Sequence, residues 1–219
     1  MCGQFALYSD LRAIIKYYKF LLSQNMGFSE DAVYDYLIAK KSKEPYNKYI
    51  FPSAKITPSM YVPVLRHKKG IFELEWLRWG LVPSWSKDEK FASKLINARL
   101  ETIQEKPSFR GAWRARRCLI PCNYFYEWDQ DKTKYEIGQE GKDLFCMAGL
   151  WESWVHEGFD LETFTLITHE SFGDLQAIHH RSPLIFAESF FADWLSNKID
   201  YAEIVENYLS RKYLIMQNK

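Results

Sequence analysis

The sequence has 219 residues and a formal net charge of +1, with 47% hydrophobic and 26% charged residues. This composition is ordinary for a globular chain with a packed core. The near-zero charge excludes a uniformly basic surface, so any contact with nucleic acid has to rest on a local patch. Arg110, Arg114, Arg116 and Arg117 form one candidate patch, although a solvated helix end explains the same run. Aromatic residues reach 17%, which suits either a ring-rich core or a groove where bases stack.

The first third of the chain reads as two helices followed by a loop. Apolar residues recur at helical spacing over 11–22 behind Asp10, a residue suited to the N-cap position. Ser29 is a second N-cap candidate, because Glu30 and Asp31 follow in the first turn. Residues 42–47 are polar and contain a proline, which predicts a loop.

The pattern then changes to strands. A strand is predicted over 60–65, at a sheet edge because of Pro63, and a half-buried strand over 72–76. Residues 79–85 read as an aromatic loop, and 91–101 as a loop running into a helix. Further strands are predicted at 117–121, 124–128, 134–137, 144–151 and 164–168. Polar turns at 129–132 and 138–143 separate three of them, which indicates a meander. Closing helices are predicted over 189–195 and 201–209. One α+β domain over 1–219 fits this order best.

Cysteine usage predicts a reduced, cytosolic protein without a metal site. Residues 14–22 are the first long apolar stretch, but Lys16 and Lys19 interrupt them, so neither a secretory signal nor a membrane span is expected. The cysteines should therefore be free thiols. Cys118 and Cys122 have a C-x3-C spacing, but no second Cys or His pair completes a zinc site. We expect no metal and no cofactor.

Cys2 is chemically unusual because removal of Met1 would make it the first residue. Its α-amine, with a pKa near 8, would then share one carbon skeleton with a thiol of pKa about 8.5, and both should be nucleophilic near neutral pH. Such a 1,2-aminothiol condenses with an aldehyde, first as a Schiff base and then as a thiazolidine ring. The same residue could instead attack an amide, as N-terminal nucleophile hydrolases do. Gly3 allows close backbone approach to a ligand.

Three other segments carry candidate functional residues. Alternation in the strand over 124–128 places Glu127 among aromatic rings, where desolvation would raise its pKa towards acid–base use; a rim carboxylate paired with an arginine is the alternative. Asn97 could orient an amine or a sugar hydroxyl, and Arg99 could hold a phosphate, unless with Glu101 they only form a capped helix start. His179 could shuttle protons, although a loop histidine is commonly a surface residue.

Seven short motifs occur in one order and together point to a family. They are MCGQF at 1–5, WGLVPSW at 79–85, NARLET at 97–102, RCLIP at 117–121, FYEW at 125–128, AGLWE at 148–152 and IHHRSP at 178–183. In this order the chain resembles the SOS-response-associated peptidase family, whose members shield abasic sites in single-stranded DNA. The motifs span residues 1–186, and the predicted C-terminal helices occupy 187–219.

The resemblance implies a fold and a set of roles. The fold would be α+β, with antiparallel strands in a barrel-like core and helices packed outside. Cys2 would form a thiazolidine crosslink to the abasic sugar, Asn97 would orient the amine, Glu127 would open the sugar ring and His179 would transfer protons. DNA contacts would come from Gly3, Gln4, Trp85, Arg99, Thr168 and Arg181.

The resemblance also implies the setting and leaves two rivals. We expect a monomer that acts on single-stranded DNA containing abasic sites, in the cytoplasm and at the nucleoid when bound, with a thiol autopeptidase or lyase-like activity. A cysteine-dependent peptidase or amidase and a non-covalent single-strand-binding module are the alternatives. Two positions depart from the family's usual pattern: Gln4 replaces an arginine, and His180 replaces an acidic or amide residue.

Overall fold

The computed structural model describes residues 2–207 and 213–217 and shows an α+β fold. The strands are β1 Phe5–Leu7, β2 Ser53–Ile56, β3 Tyr61–Lys68, β4 Ile71–Trp79, β5 Asn97–Arg99, β6 Arg117–Cys122, β7 Tyr124–Trp128, β8 Lys134–Gln139, β9 Phe145–His156, β10 Phe159–Glu170, β11 Arg181–Pro183 and β12 Tyr213–Gln217. The helices are α1 Leu11–Tyr17, α2 Lys19–Leu22, α3 Glu30–Lys41, α4 Arg110–Ala115, α5 Asp174–Ile178, α6 Phe191–Leu195 and α7 Tyr201–Asn207. Short 3-10 helices cover Tyr46–Lys48, Glu89–Lys94, Leu100–Thr102 and Glu188–Phe190.

Five strands close into a barrel, which confirms the predicted fold class. The order β10-β4-β3-β6-β9 returns to its start because β9 and β10 also pair with each other. Four of the seams are antiparallel, and the β4–β10 seam is parallel. The short strands β5 and β11 both extend the sheet along β10. Closure removes the free edges that an open sheet would leave.

A second, five-stranded sheet contains the first strand of the chain, β1. Its order is β12-β8-β7-β1-β2, with antiparallel pairing throughout. Helices α2 and α3 contact β4, while α4 and α6 contact β9 and β6. The helices therefore pack outside the barrel, as predicted.

The two N-terminal helices begin where the sequence predicts. The Asp10 side chain accepts a hydrogen bond from the amide of Ala13, and the Ser29 hydroxyl accepts one from Ala32. Such caps satisfy amides that have no partner inside the helix. The helical pattern over 11–22 is not continuous, however, because α1 ends at Tyr17 and α2 begins at Lys19.

The prediction that Pro63 marks an edge strand is wrong. Strand β3 is flanked by β4 on one side and by β6 on the other. Pro63 lies opposite Trp76 of β4, whereas the β6 pairing begins only at Leu65. The missing proline amide is thus tolerated, because this part of the strand has one neighbour.

Three further segment predictions need correction. Residues 97–99 form β5 and not a helix, so Asn97 and Glu101 do not share a helical face. The predicted meander is broken, because β8 pairs with β7 and β12 while β9 pairs with β6 and β10. The C-terminal region contains the strand β12 in addition to helices, and residues 208–209 of the last predicted helix lie outside the described residues.

Half of the predicted arginine patch is committed to the structure. Arg117 is buried with its guanidinium over the rings of Trp113 and Trp194, and desolvation lowers its pKa to about 10. Arg116 forms a 2.7 Å ion pair with the buried Glu152. Residues 110–117 therefore do not present four free charges to a ligand.

All four cysteines are free and buried. The described residues include no group of three or more His, Cys, Asp or Glu side chains placed to hold a metal ion. Within the same residues, no helix has the length and apolar character needed to cross a membrane.

Gly80 fixes the turn from β4 into the loop that carries Trp85. Its φ is +113°, and a Cβ at this position would lie 2.6 Å from the carbonyl oxygen of Ala92. At Gly158, φ is also positive (+81°), but nothing lies within 4 Å of such a Cβ. Substitution of either glycine would strain the backbone, but only substitution of Gly80 would also cause steric overlap.

We expect Gly80→Ala to lower the free energy of unfolding by about 1 kcal/mol for the backbone and about 1–3 kcal/mol more for the overlap with Ala92. Gly158→Ala, the control, should lose only the first part. Urea unfolding monitored by tryptophan fluorescence measures both. Equal losses in the two variants would show that the contact with Ala92 is unimportant.

Candidate active site

The N-terminal segment is held against β7 by backbone pairing. Phe5 lies opposite Phe125, and beyond β1 the amide of Tyr126 donates to the carbonyl oxygen of Gln4 at 3.0 Å. Because the pairing is antiparallel, residues before Phe5 run towards the end of β7 that carries Glu127. This brings Cys2 within electrostatic reach of Glu127.

The Cys2 thiol lies in a desolvated environment. Its residue is completely buried, and Sγ donates to the carbonyl oxygen of Gln4 at 3.8 Å. Burial first, and then the nearby Glu127 carboxyl, raise the pKa of this thiol. Burial therefore shifts the thiol upward from the ordinary pKa of about 8.5 that the sequence suggests, and the protonated thiol needs a base before it can react.

Asn97 connects β5 to the N-terminus. Strand β5 runs parallel to β10, with Asn97 opposite Leu166. From there Nδ2 donates to the carbonyl oxygen of Cys2 at 2.8 Å. The buried Oδ1 has no hydrogen-bond partner among the described residues. The amide nitrogen thus holds the Cys2 backbone, while the amide oxygen is enclosed in the protein.

Glu127 has the properties that its strand position predicts. It is 3% exposed, and burial raises its pKa to about 7. At neutral pH the carboxyl is thus divided between its acid and base forms, as proton transfer requires. Its Oε2 lies 4.0 Å from Nε2 of His179.

His179 is oriented by the backbone of β11. Its Nδ1 accepts from the amide of Arg181 at 3.0 Å and lies 3.1 Å from the carbonyl oxygen of the same residue. When Nδ1 accepts, the neutral ring carries its proton on Nε2, towards Glu127. Desolvation lowers the pKa of His179, which favours this neutral form.

Arg181 is an internal organiser of the site. Its guanidinium donates to both carboxylate oxygens of Glu101, at 2.8 and 2.9 Å, and to the carbonyl oxygen of Thr168 at 2.6 Å. Arg181 is 6% exposed and Thr168 is fully buried. The structure therefore does not place either side chain on an open DNA-facing surface, although both lie beside His179 and β5.

The other predicted DNA contacts are more accessible. Arg99 is exposed and lies opposite Thr168 across the β5–β10 pairing. Trp85 is 56% exposed, and its ring meets that of Phe91 edge-on at 5.8 Å. Gly3 and Gln4 are partly buried. Arg99 thus lies in the same strand as Asn97 of the cluster, and the exposed Trp85 and Phe91 belong to the segment that precedes this strand in the chain.

Comparison with known proteins identifies the family. The sequence model of "SOS response associated peptidase (SRAP)" matches residues 1–216. The chain belongs to this family. The "Abasic site processing protein YoaM" of Bacillus subtilis is 37% identical over 214 residues, covering 95% of this chain and 85% of that protein. The "Abasic site processing protein HMCES" of Gallus gallus is 31% identical over 189 residues, covering 70% of this chain and 55% of that protein.

A solved structure of this fold comes from Bacteroides thetaiotaomicron. It superposes with a TM-score of 0.78 and covers 100% of this chain and 92% of that one, at 24% identity. This likeness supports the fold.

Two features of this SRAP chain escaped the sequence reasoning. The fork between Arg181 and Glu101 joins residues 80 positions apart. His180 stacks on His179 with a centroid distance of 4.5 Å and an interplanar angle of 28°. The NARLET motif did mark Glu101, but only the pairing of β5 and β11 on β10 brings its carboxylate to Arg181.

The raised pKa of Glu127 should be visible in stability. Between about pH 4.5 and about pH 7 the folded chain retains a proton that the unfolded chain has released, so this carboxyl's stabilising contribution is lost as pH rises. Between about pH 5 and about pH 7.5 the free energy of unfolding of the wild type should therefore fall more than that of Glu127→Gln, by on the order of 2 kcal/mol.

Denaturant unfolding at the two pH values measures this difference. Glu157→Gln alters a carboxylate whose side chain is 87% exposed and should follow the wild type. Parallel pH profiles for the wild type and Glu127→Gln would contradict the assigned ionisation.

Proposed function

We propose that this chain processes abasic sites in single-stranded DNA by forming a covalent thiazolidine between Cys2 and the ring-opened sugar aldehyde. The observation that carries the proposal is the convergence of Asn97 and Glu127 on residue 2, with His179 beside Glu127. The printed names of the YoaM and HMCES relatives supply the lesion class. Cleavage of the Met1–Cys2 bond is the required first event, because only then is the nitrogen of Cys2 an amine.

The first step makes an imine. The Cys2 amine adds to C1′ of the aldehyde, and loss of one water from the carbinolamine leaves a C=N bond. Opening of the sugar requires a proton on the ring oxygen and a base for the C1′ hydroxyl. Glu127, with a pKa near 7, can supply the proton in its acid form, and His179 can exchange protons with it across 4.0 Å.

The second step closes the ring. The Cys2 sulfur adds to the imine carbon, its proton moves to the nitrogen, and a five-membered thiazolidine results with no further loss of atoms. Because burial keeps the thiol protonated, the step needs a base, and the carboxylate form of the nearby Glu127 would accept the proton. The products of both steps together are the thiazolidine and one water.

The strand would be held by side chains near this cluster. Arg99 offers an exposed cation for a phosphate, and Trp85 with Phe91 offers rings for base stacking. Arg181 and Thr168 would not touch the strand. They would support the site instead, because their hydrogen bonds help to hold the ends of β5 and β11 together. Non-covalent binding should therefore weaken with salt only as far as a few charge contacts allow.

Cys2→Ala should abolish the covalent product while most non-covalent binding survives. An abasic oligonucleotide is mixed with protein whose Met1 removal is verified by intact mass. Denaturing gels and mass spectrometry then detect an adduct that equals the sum of both partners less one water. Persistence of this adduct in Cys2→Ala would reject the assignment.

Two control variants sharpen that experiment. Cys2→Ser retains the amine but lacks sulfur, so its adduct should survive denaturation only after borohydride reduction of the imine. Cys118→Ala removes a buried thiol outside the cluster, in a residue whose backbone carbonyl oxygen accepts a hydrogen bond from Trp194. This variant should crosslink like the wild type. Turnover of peptides without preference for abasic DNA would instead favour a cysteine-dependent amidase.

Asn97→Ala should slow crosslinking about 10- to 100-fold, because it removes the hydrogen bond that positions the Cys2 backbone. Single-turnover kinetics with excess protein give the rate. Affinity for an intact oligonucleotide is the control, and it should be unchanged. A matching loss of affinity would indicate a general structural defect.

A further inference from the structure

Glu101 links the ends of three strands beside the proposed catalytic histidine. It lies just beyond the end of β5. Its carboxylate accepts hydrogen bonds from Nη1 and Nη2 of Arg181, the first residue of β11, at 2.8 and 2.9 Å. Oε1 also accepts a hydrogen bond from the amide of Glu170, the last residue of β10, at 3.2 Å. One carboxylate thus fixes the start of β11 relative to the end of β10.

The guanidinium of Arg181 depends on this carboxylate for charge balance. Arg181 is buried, and its Nη2 also donates to the carbonyl oxygen of Thr168 at 2.6 Å. That carbonyl satisfies a hydrogen bond but does not cancel the charge. Partial burial opposes ionisation of Glu101, but the hydrogen bonds from Arg181 outweigh it and lower the pKa of this carboxyl. Removal of the carboxylate would therefore leave a buried cation without its counterion.

The backbone of the same arginine determines the state of His179. Nδ1 of His179 lies 3.0 Å from the amide nitrogen of Arg181 and 3.1 Å from its carbonyl oxygen. A neutral ring uses one of these contacts at a time, because Nδ1 accepts from the amide in one tautomer and donates to the carbonyl in the other. Only the tautomer that accepts carries a proton on Nε2, 4.0 Å from Glu127. The position of the Arg181 backbone therefore decides whether His179 has a proton to give to this carboxyl.

Strand β11 alone holds that backbone by little. It has three residues, and the first of them, Arg181, pairs with the last residue of β10, Glu170. Residues at the end of an element open more readily than those in its interior. The fork to Glu101 adds two charge-assisted hydrogen bonds at this end, and its planar geometry also fixes direction. Glu101 thus supplies the restraint that the short strand lacks.

We propose that Glu101 is a positioning residue for the crosslinking reaction, because it holds Arg181 where the Arg181 amide selects the Nε2-protonated tautomer of His179. Glu101 acts through Arg181 and does not contact the reacting atoms. The inference rests on the proposed function, since it assigns Glu101 to the proton transfer between His179 and Glu127. A residue that only binds the strand would change affinity, whereas Glu101 changes the rate.

Single-turnover crosslinking at increasing protein concentration separates rate from binding. Glu101→Gln keeps the shape of the side chain but loses its charge and one of its two acceptor oxygens. The maximal rate should fall about 10- to 100-fold, as expected for a small misplacement near the reacting groups. The half-saturating protein concentration should not rise. An unchanged maximal rate, with or without weaker binding, would overturn the proposal.

Glu162→Gln is the matched control, because it removes the same kind of ion pair elsewhere. Glu162 lies near the other end of β10 and holds the buried Arg66 through contacts of 2.8 and 2.9 Å. Both variants should unfold at lower urea concentrations than the wild type, since each leaves a buried guanidinium without a carboxylate. Only Glu101→Gln should lose crosslinking rate. An equal loss of rate in both variants would indicate a general structural effect and contradict the assigned role.

Glu101→Asp is a second variant that retains the charge. It compensates the buried guanidinium, but its side chain is shorter by one methylene. Its maximal rate should therefore lie between those of the wild type and Glu101→Gln. A rate below that of Glu101→Gln would show that a charged partner for Arg181 is not what the reaction needs.

Imidazole ¹⁵N NMR spectra of the protein without DNA, after Met1 removal, test the tautomer directly. At neutral pH, His179 should have an unprotonated Nδ1 and a protonated Nε2 in the wild type and in Glu162→Gln. In Glu101→Gln its spectrum should show a mixture of the two tautomers. An unchanged His179 spectrum in this variant would overturn the proposal while the proposed function stands. Absence of any adduct with the wild type would instead overturn the proposed function, and with it the role of Glu101 in the reaction.

Discussion

Pairing of the three-residue strand β1 with β7 is the constraint on which the site depends. It fixes the direction in which the chain enters the fold and places residue 2 beside a buried carboxyl. Neither group would be unusual alone. The barrel supplies the other components, because β10 pairs with β5, which contains Asn97, and with β11, which begins two residues after His179. Two sheets with different connections thus meet at one residue.

Burial favours the uncharged forms of the side chains in this cluster. Desolvation keeps the Cys2 thiol protonated, favours neutral His179 and raises the pKa of Glu127. Charge would be created only as the reaction proceeds, by transfers over short distances. A dry site also favours a condensation that releases water. The ion pair of Arg181 with Glu101 likewise adds no net charge next to the cluster.

Sequence reasoning reached most of the strands, the two helix caps and the burial of Glu127, because local periodicity governs each of them. It failed where distant segments decide the outcome. Pro63 is tolerated in an interior strand because one neighbour starts after it. Burial of Thr168 and Arg181, and the stacking of His180, follow from β11 docking on β10, which no local pattern encodes. The raised pKa of the Cys2 thiol has the same cause, because its burial depends on how distant segments pack around it.

Several arginines of this nearly neutral chain are engaged in contacts within the fold. Arg66 is paired with Glu73 and Glu162, Arg117 is sandwiched by tryptophans, and Arg181 is held by Glu101. These three guanidinium groups are therefore not available to a phosphate backbone, and Gln4 adds no charge. Each cation held inside the fold in this way removes one possible phosphate contact and the salt-dependent affinity that it would supply. In the proposed function, a covalent bond to the lesion would give selectivity for the aldehyde without requiring tight binding to every strand.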